Sequence, residues 1–286
     1  MTSHLYPLDV VDPDWISEVV TLNSKLFVIW QSKVEDPFSI RVYERNNVTV
    51  VKDIPLPGMN PISIAACSVS NCIYILNNEP DNCSVLRLTI IDKPYVSQMS
   101  PFISNLQGQF IDLCIEANGS LVMSRKAIGE ESSVTCVISV YRSDGELEYE
   151  IRFATRELVY KVIPKSNGNF VIVSTNDNGE AQLKEINKNG GLVRQYQSSL
   201  RAFNRVCEAD VFGRVVILGS YDAIEILDCE FNPTNFTGRL GPLYDSRDLF
   251  CDTLHFHRDN NEIVMVSSHS HATSTHMLST FHFVEE

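Results

Sequence analysis

Basic residues are scarce in this chain. Its 286 residues contain 23 Lys and Arg against 36 Asp and Glu, which gives a formal net charge of −13 at pH 7. Binding to nucleic acid or to an anionic membrane surface is driven by Lys and Arg, so the deficit argues against both as partners. Long hydrophobic runs are missing as well, and none approaches the ~18 apolar residues that a membrane-spanning helix needs.

A secretion signal is also missing. Residues 1–9 hold neither a basic segment nor an apolar one, so nothing in them directs the chain to the secretory route. We therefore expect a cytoplasmic protein whose thiols stay reduced. Four Asn-x-Ser/Thr sequons would be glycosylated only if the chain entered that route. They begin at Asn47, Asn82, Asn118 and Asn235.

Familiar catalytic and redox motifs are absent. The chain has no Gly-x-Ser-x-Gly, no phosphate-binding glycine loop and no dinucleotide fingerprint. None of its eight Cys belongs to a Cys-x-x-Cys pair, so we interpret them as buried structural thiols. A 3.6-residue apolar period is missing from every stretch of ten or more residues, which predicts almost no helix.

The chain does contain a repeat of 45–49 residues, in which short alternating apolar runs are separated by turns. A period of that length made of short strands is typical of a β-propeller. Six units therefore predict an all-β, six-bladed β-propeller with four-stranded antiparallel blades, in one domain over residues 1–286. The units begin near Trp15, Ile62, Phe110, Leu158, Phe203 and Asp252.

The third unit shows the predicted blade most clearly. Asn118-Gly119 and Asp144-Gly145 are turn signals of the kind that require a positive φ. They separate four predicted strands: 110–115, 120–124, 134–141 and 146–153.

The last unit lacks a fourth strand of its own, because the chain ends soon after residues 277–284. The segment His4–Val11 precedes the first unit and has no other evident role. We expect it to complete the sixth blade and close the ring, since closure removes an exposed sheet edge. The alternative is a frayed N-terminal arm.

Several of these segments resemble the NHL-repeat class of propellers, and within it propeller proteins common in marine invertebrates. The resemblance rests on residues 37–43, 54–59, 66–68, 71–75 and 140–147 and extends from about Trp15 to Phe283. It implies a six-bladed propeller. NHL blades carry Asp or Asn just after the second strand to tie the blade's loops together, and here only Asn77 keeps that pattern.

Six residues that follow equivalent second strands are the candidate ligand-binding set. The propeller fold would bring them to one rim, and Trp, Tyr and Arg often anchor interfaces. They predict a non-catalytic, monomeric binding module without a cofactor, which recognises a protein or a small ligand on this loop face. The alternative is that they only cover the loops. The set is Trp30, Asn77, Arg125, Asn176, Tyr221 and His269.

Six of the seven His lie in the last 32 residues. Two His-x-His pairs close together could supply imidazoles to Zn²⁺ or Cu²⁺. Lactonase-type propellers hold a channel Ca²⁺ with several carboxylates, and the loop carboxylates here show no such convergence blade by blade. The His cluster gives a second hypothesis, a metal-dependent hydrolase or lyase, and the resemblance adds that some NHL-type lyases use a His-bound metal. The alternative is a His-rich polar loop. The candidate ligands are His255, His257, His269, His271 and His276.

Overall fold

The computed structural model is built of short strands connected by turns. It describes residues 2–7, 15–33, 35–45, 48–79, 82–91, 96–128, 134–155, 157–201, 213–218, 223–239, 249–257, 262–269 and 276–282. These residues contain no helix, as the sequence predicted, and therefore none with the length and apolar character needed to cross a bilayer.

The strands follow one another through the whole described chain. In order they are β1 Thr2–Pro7, β2 Trp15–Leu22, β3 Lys25–Gln31, β4 Phe38–Glu44, β5 Thr49–Leu56, β6 Pro61–Cys67, β7 Cys72–Glu79, β8 Asn82–Ile91, β9 Val96–Leu106, β10 Gln109–Ile115, β11 Leu121–Ile128, β12 Val134–Tyr141, β13 Leu147–Thr155, β14 Leu158–Pro164, β15 Phe170–Thr175, β16 Glu180–Ile186, β17 Leu192–Arg201, β18 Val215–Leu218, β19 Ala223–Leu227, β20 Pro233–Arg239, β21 Leu249–His257, β22 Glu262–His269 and β23 His276–His282. Only the backbone of β1, β21 and β23 is described.

These strands form an all-β propeller with antiparallel blades. Five sheets have four strands each, in the orders β2–β5, β6–β9, β10–β13, β14–β17 and β1-β23-β22-β21. The described residues therefore contain five four-stranded blades, not the six that the sequence predicted. The remaining sheet, β18–β20, has three strands. The first strand predicted for that unit, which begins near Phe203, falls in residues 202–212 and lies outside the described residues.

The N-terminal strand completes the last sheet. β1 pairs antiparallel with β23, from Thr2 opposite His282 to Pro7 opposite Met277. The sequence predicted this addition for His4–Val11, and the observed strand begins two residues earlier. Residues 8–11 lie outside the described part of the chain.

The chain divides into two compact units. One comprises Met1–Met59 and Arg205–Glu286, and the other comprises Asn60–Asn204. The second unit, called the central unit below, contains the three sheets β6–β9, β10–β13 and β14–β17. Their first strands β6, β10 and β14 are in contact in that order, and apolar side chains of adjacent sheets pack together between them.

The first strands bulge at one equivalent position. In five sheets the register shifts near the start of the first strand, where one extra residue is inserted. The shifts fall at Ile16/Glu18, Pro61/Ser63, Phe110/Asp112, Val159/Lys161 and Cys251/Thr253.

Two polar residues that follow these bulges connect the first strands of the central unit. The Ser63 hydroxyl donates to Asp112 Oδ1 at 3.2 Å and accepts from the Leu113 backbone N–H at 3.2 Å. The Val162 backbone N–H donates to Asp112 Oδ2 at 3.2 Å. Ser63 is 1% and Asp112 5% exposed. A buried hydroxyl and a buried carboxylate therefore join β6, β10 and β14.

The hairpin turns that the sequence predicted are formed as expected. Gly119 has φ +89°, and a Cβ added there would lie 3.2 Å from Cβ of Val69 in the β6–β7 turn. Asn118 Oδ1 accepts a hydrogen bond from the Ser120 backbone N–H at 2.8 Å. Glycine is therefore required at this turn both for its backbone angle and for the close approach of the neighbouring hairpin.

Candidate ligand-binding face

The second-strand end is the end of each sheet at which its second strand finishes, at Gln31, Glu79, Ile128 and Thr175 for β3, β7, β11 and β15. The sequence places its six candidate residues here. Tyr221 lies outside the described residues, and His269 is described by its backbone only. The other four have described side chains.

Trp30 lies under a guanidinium group. The Arg41 Cζ atom is 4.2 Å from the centroid of the indole ring, within the range of a cation–π contact. Arg41 also makes a bidentate pair with Asp53, at 2.7 and 2.8 Å. That hydrogen bonding raises the pKa of Arg41 despite the opposing effect of burial. The buried Trp30 Nε1 has no acceptor among the described residues.

Asn77 ties a loop to a strand. It is 4% exposed, and its Oδ1 accepts the Asn60 backbone N–H at 2.7 Å. This contact fixes the segment that leads into β6 against β7. It is the tying role that the blade pattern implies for an Asn in this position.

Arg125 belongs to a polar network within its own sheet. Its Nη2 donates to Glu150 Oε1 at 3.1 Å, and the Ser139 hydroxyl donates to the same oxygen at 2.9 Å. Burial alone would raise the pKa of Glu150, but these hydrogen bonds outweigh it and the pKa is lowered. The guanidinium group is therefore occupied by a neighbouring carboxylate.

Asn176 organises the turn between β15 and β16. Its Oδ1 accepts the backbone N–H groups of Asn178 and Glu180, each at 3.0 Å, and its Nδ2 donates to Glu180 Oε2 at 2.8 Å. Such contacts are typical of an Asn that begins a turn. The ligand-binding role of these residues stays a prediction, since no contact described here involves a ligand.

The candidate metal ligands occupy the last sheet. His255 and His257 lie on β21 opposite Val264 and Glu262. On β22 and β23, His269 pairs with Leu249 and His276 with Ser268. His271 lies outside the described residues, as do the side chains of the other four. Among the residues that the structure does describe, no group of three or more possible ligands could hold a metal ion.

The metal hypothesis makes a direct prediction for protein purified without a His tag. Because three or four imidazoles bind zinc or copper tightly, elemental mass spectrometry should find one ion per chain. The ion should be lost in a His255→Ala/His271→Ala double variant and kept in His282→Ala, the control. Wild-type protein with neither zinc, copper nor calcium would contradict the hypothesis.

A cleft at the second-strand end of the central unit was not anticipated from the sequence. It has a volume of about 190 Å³ and lies between the sheets β10–β13 and β14–β17. Strand pairing explains its position, because Gln109 pairs with Lys126 and Lys126 with Cys136 at this end. The lining residues are Gln109, Phe110, Ile111, Lys126, Cys136, Glu157, Leu158 and Val159.

The carboxylate in the cleft is paired. Both oxygens of Glu157 lie 2.6 Å from Lys184 Nζ, and Glu157 Oε2 accepts the Ser174 hydroxyl at 2.8 Å. The side chains of Lys184 and Glu157 are 15% and 23% exposed. Lys184 Nζ also lies 6.0 Å from the ring centroid of Phe153 on the facing sheet. The charge of Glu157 is therefore balanced within the wall of the cleft.

Lys126 differs from Glu157 in that its charge is not balanced by a described residue. Its ammonium group has no hydrogen-bonding or ionic partner among these residues, although the side chain is half-buried. Cys136 adds no charge, since burial raises the pKa of its thiol to about 12. The lining residues together with Lys184 thus carry two positive charges and one negative charge.

The sequence carried only a weak signal for this cleft. The predicted strands 120–124 and 134–141 place Lys126 in the loop between them, whereas β11 continues to Ile128. The sequence pointed to its neighbour Arg125 instead, but the guanidinium group of Arg125 donates to Glu150. Glu157 and Lys184 come from different elements of the chain, so their pairing appears only when the strands are placed together.

Comparison with known proteins supports the fold alone. No family model matches the chain, and a search of curated proteins gives no match. A protein of unknown function from Bacteroides caccae is similar in structure, with 14% identity, a TM-score of 0.56, and coverage of 81% of this chain and 86% of that one. The PQQ-bound aldose sugar dehydrogenase of Streptomyces coelicolor has 11% identity, a TM-score of 0.62, and coverage of 98% of both chains. The class defined is an all-β propeller.

Proposed function

We propose that this chain is a six-bladed, NHL-like propeller that acts as a non-catalytic binding protein. Five four-stranded sheets and one three-stranded sheet support the blade number. The pairing of β1 with β23 supports a ring closed by the N-terminal strand. We propose a cytoplasmic monomer that binds a small ligand at the second-strand end of the central unit.

The cleft between the sheets β10–β13 and β14–β17 carries this proposal. It combines apolar walls with a few polar groups, which is the usual make-up of a ligand pocket. Lys126 supplies a half-buried charge that no described group neutralises. A ligand that reached it would replace water at the ammonium group and would also cover the apolar side chains around it.

The lining favours recognition over catalysis. The thiol of Cys136 is neutral near pH 7, because burial raises its pKa to about 12. Glu157 already accepts hydrogen bonds from Lys184 and Ser174, so it is poorly placed to move a proton. The dehydrogenase of similar fold binds PQQ, and we therefore include PQQ among the compounds to be tested.

A thermal-shift screen of small metabolites tests the function with a matched pair of variants. Leu158 lines the cleft and is 52% exposed, whereas Leu147 is 50% exposed and is not part of the lining. Leu158→Trp fills the cleft, and Leu147→Trp adds the same bulk elsewhere. Compounds that bind the folded state should raise the melting temperature of wild type and Leu147→Trp by a few degrees, but not that of Leu158→Trp.

Two results would contradict the proposal. Compounds that stabilise Leu158→Trp as much as wild type bind outside the cleft. A library that stabilises neither wild type nor Leu147→Trp would exclude small-ligand binding and favour a protein partner on this face.

A further inference from the structure

We propose that the ligand of the cleft is a small monocarboxylate with an apolar body, such as an aryl or branched-chain carboxylic acid. This inference rests on the proposed function and names the chemistry of the same site. Three properties of the lining support it: the charge of Lys126, which has no partner among the described residues, the balanced charge of Glu157, and the apolar walls.

The charge of Lys126 selects for a negative group. An ammonium ion and a carboxylate form a charge-assisted hydrogen bond, which is about twice as strong as one between neutral groups. Lys126 is half-buried and forms no ion pair with any described side chain. A ligand carboxylate would therefore gain this interaction without displacing any partner that the structure describes.

The charge of Glu157 limits the ligand to one negative charge. Lys184 lies 2.6 Å from Glu157, and the charges of these two residues balance. The lining and Lys184 together therefore carry a single excess positive charge, that of Lys126. A phosphate dianion or a dicarboxylate would place its second charge near the Glu157 carboxylate, and like charges in a partly buried site repel strongly. A cationic ligand would be repelled by the ammonium groups of Lys126 and Lys184.

The walls set the body of the ligand. Ile111 and Val159 present branched apolar side chains, and Leu158 lies at the rim. A volume of about 190 Å³ is smaller than the pockets of drug-sized ligands. One ring or one branched chain attached to a carboxylate suits this volume, and the Gln109 amide offers a further donor beside Lys126.

Fluorine NMR with three compounds of one shape tests the inference. The probes are 4-fluorobenzoate, its neutral analogue 4-fluorobenzamide and the cation 4-fluorobenzylamine. We expect the benzoate to bind with a dissociation constant below about 1 mM and the amide to bind at least about tenfold more weakly. The benzylamine should show no broadening of its signal. Unlabelled 3-methylbutanoate should compete with the benzoate.

Variants locate the interaction. Lys126→Met should weaken benzoate binding about ten- to a hundredfold, since it removes a charged hydrogen-bond donor. The same variant should change binding of the amide less than about threefold. Lys33→Met is the control, because Lys33 is exposed and does not line the cleft. Lys126→Gln, which removes the charge but keeps a polar side chain, should weaken benzoate binding as well. Circular dichroism of each variant checks that the loss is not caused by misfolding.

Each outcome decides a different question. Equal affinity for benzoate and benzamide, or no effect of Lys126→Met, would overturn the monocarboxylate assignment. If no carboxylate binds but other compounds bind in a manner that Leu158→Trp abolishes, the ligand class is wrong and the proposed function stands. Benzoate that binds Leu158→Trp as tightly as wild type would occupy another place and would contradict both.

Discussion

Replacing Glu185 with alanine is expected to lower the free energy of unfolding by about 3–5 kcal/mol, the cost of breaking a buried ion pair. The Glu185 side chain is 0% exposed. Lys165 Nζ lies 2.8 Å from its Oε2, with a side chain that is only 6% exposed. Asn169 Nδ2 donates to Oε1 at 2.6 Å, and Arg194 Nε lies 3.2 Å from Oε2.

The expected loss is large because removal of Glu185 takes away the carboxylate that pairs with the buried ammonium group of Lys165. Lys165 follows β14 and Asn169 precedes β15, so the carboxylate on β16 holds both ends of the hairpin turn. Urea unfolding of the wild type and the variant measures the difference. Glu148→Ala is the control, since Glu148 is exposed. A loss no larger than in this control would show that the turn holds without the carboxylate.

The contribution of Glu185 should also depend on pH. Burial alone would raise its pKa, but the hydrogen bonds from Asn169 and Lys165 outweigh burial and lower the pKa below the ordinary 4.5. The folded state therefore releases this proton more readily than the unfolded state does. The stabilisation is fully present above about pH 4.5 and is lost as the pH falls through the folded-state pKa.

Glu185→Gln isolates this effect, because glutamine keeps the shape of the side chain and cannot ionise. The difference in unfolding free energy between the wild type and Glu185→Gln should shrink as the pH is lowered from 6 towards 3. A difference that stays constant over this range would mean that folding does not lower the pKa of Glu185.

Asp112→Ala is expected to lower the free energy of unfolding by about 2–4 kcal/mol, because it leaves buried donors without an acceptor. Asp112 is 5% exposed and accepts from the Ser63 hydroxyl and the Val162 backbone N–H, each at 3.2 Å. These donors lie on β6 and β14, on either side of its own strand. The loss should therefore weaken the packing of three sheets.

Two further variants calibrate this result. Asp112→Asn should be less harmful than Asp112→Ala, since the amide oxygen still accepts one of the two donors. Asp177→Ala should have little effect, because Asp177 is exposed in the β15–β16 turn. If urea unfolding gives Asp112→Ala a free energy of unfolding no lower than that of Asp177→Ala, a structural role for the buried carboxylate is contradicted.

The repeat and its turns made most of the blade architecture predictable. A strand alternates its side chains with period two, and a tight turn needs residues that tolerate positive φ, so both leave local marks in the sequence. The turns at Asn118-Gly119 and Asp144-Gly145 were predicted on this basis and confirmed, with φ +89° at Gly119 and +90° at Gly145. The NHL-repeat identity stays a prediction, because no family model matches the chain.

Properties that depend on distant residues could not be predicted in the same way. The sequence puts Asn77, Arg125 and Asn176 near the second-strand end, but it does not show that Asn60, Glu150 and Glu180 already occupy their polar groups. The cleft needs Lys126 on one sheet and Glu157 and Lys184 on the side of the adjacent sheet. Such placement depends on strand register, which the bulges in the first strands shift.

The pairing of β1 with β23 also constrains how the protein is made. Thr2 lies opposite His282, so β1 leaves the ribosome long before the strand with which it pairs. The sheet that contains both strands cannot be completed until β23 has been synthesised. Until His282 has emerged, β1 has no partner strand, and the open edge is a site at which chaperones or other nascent chains can bind.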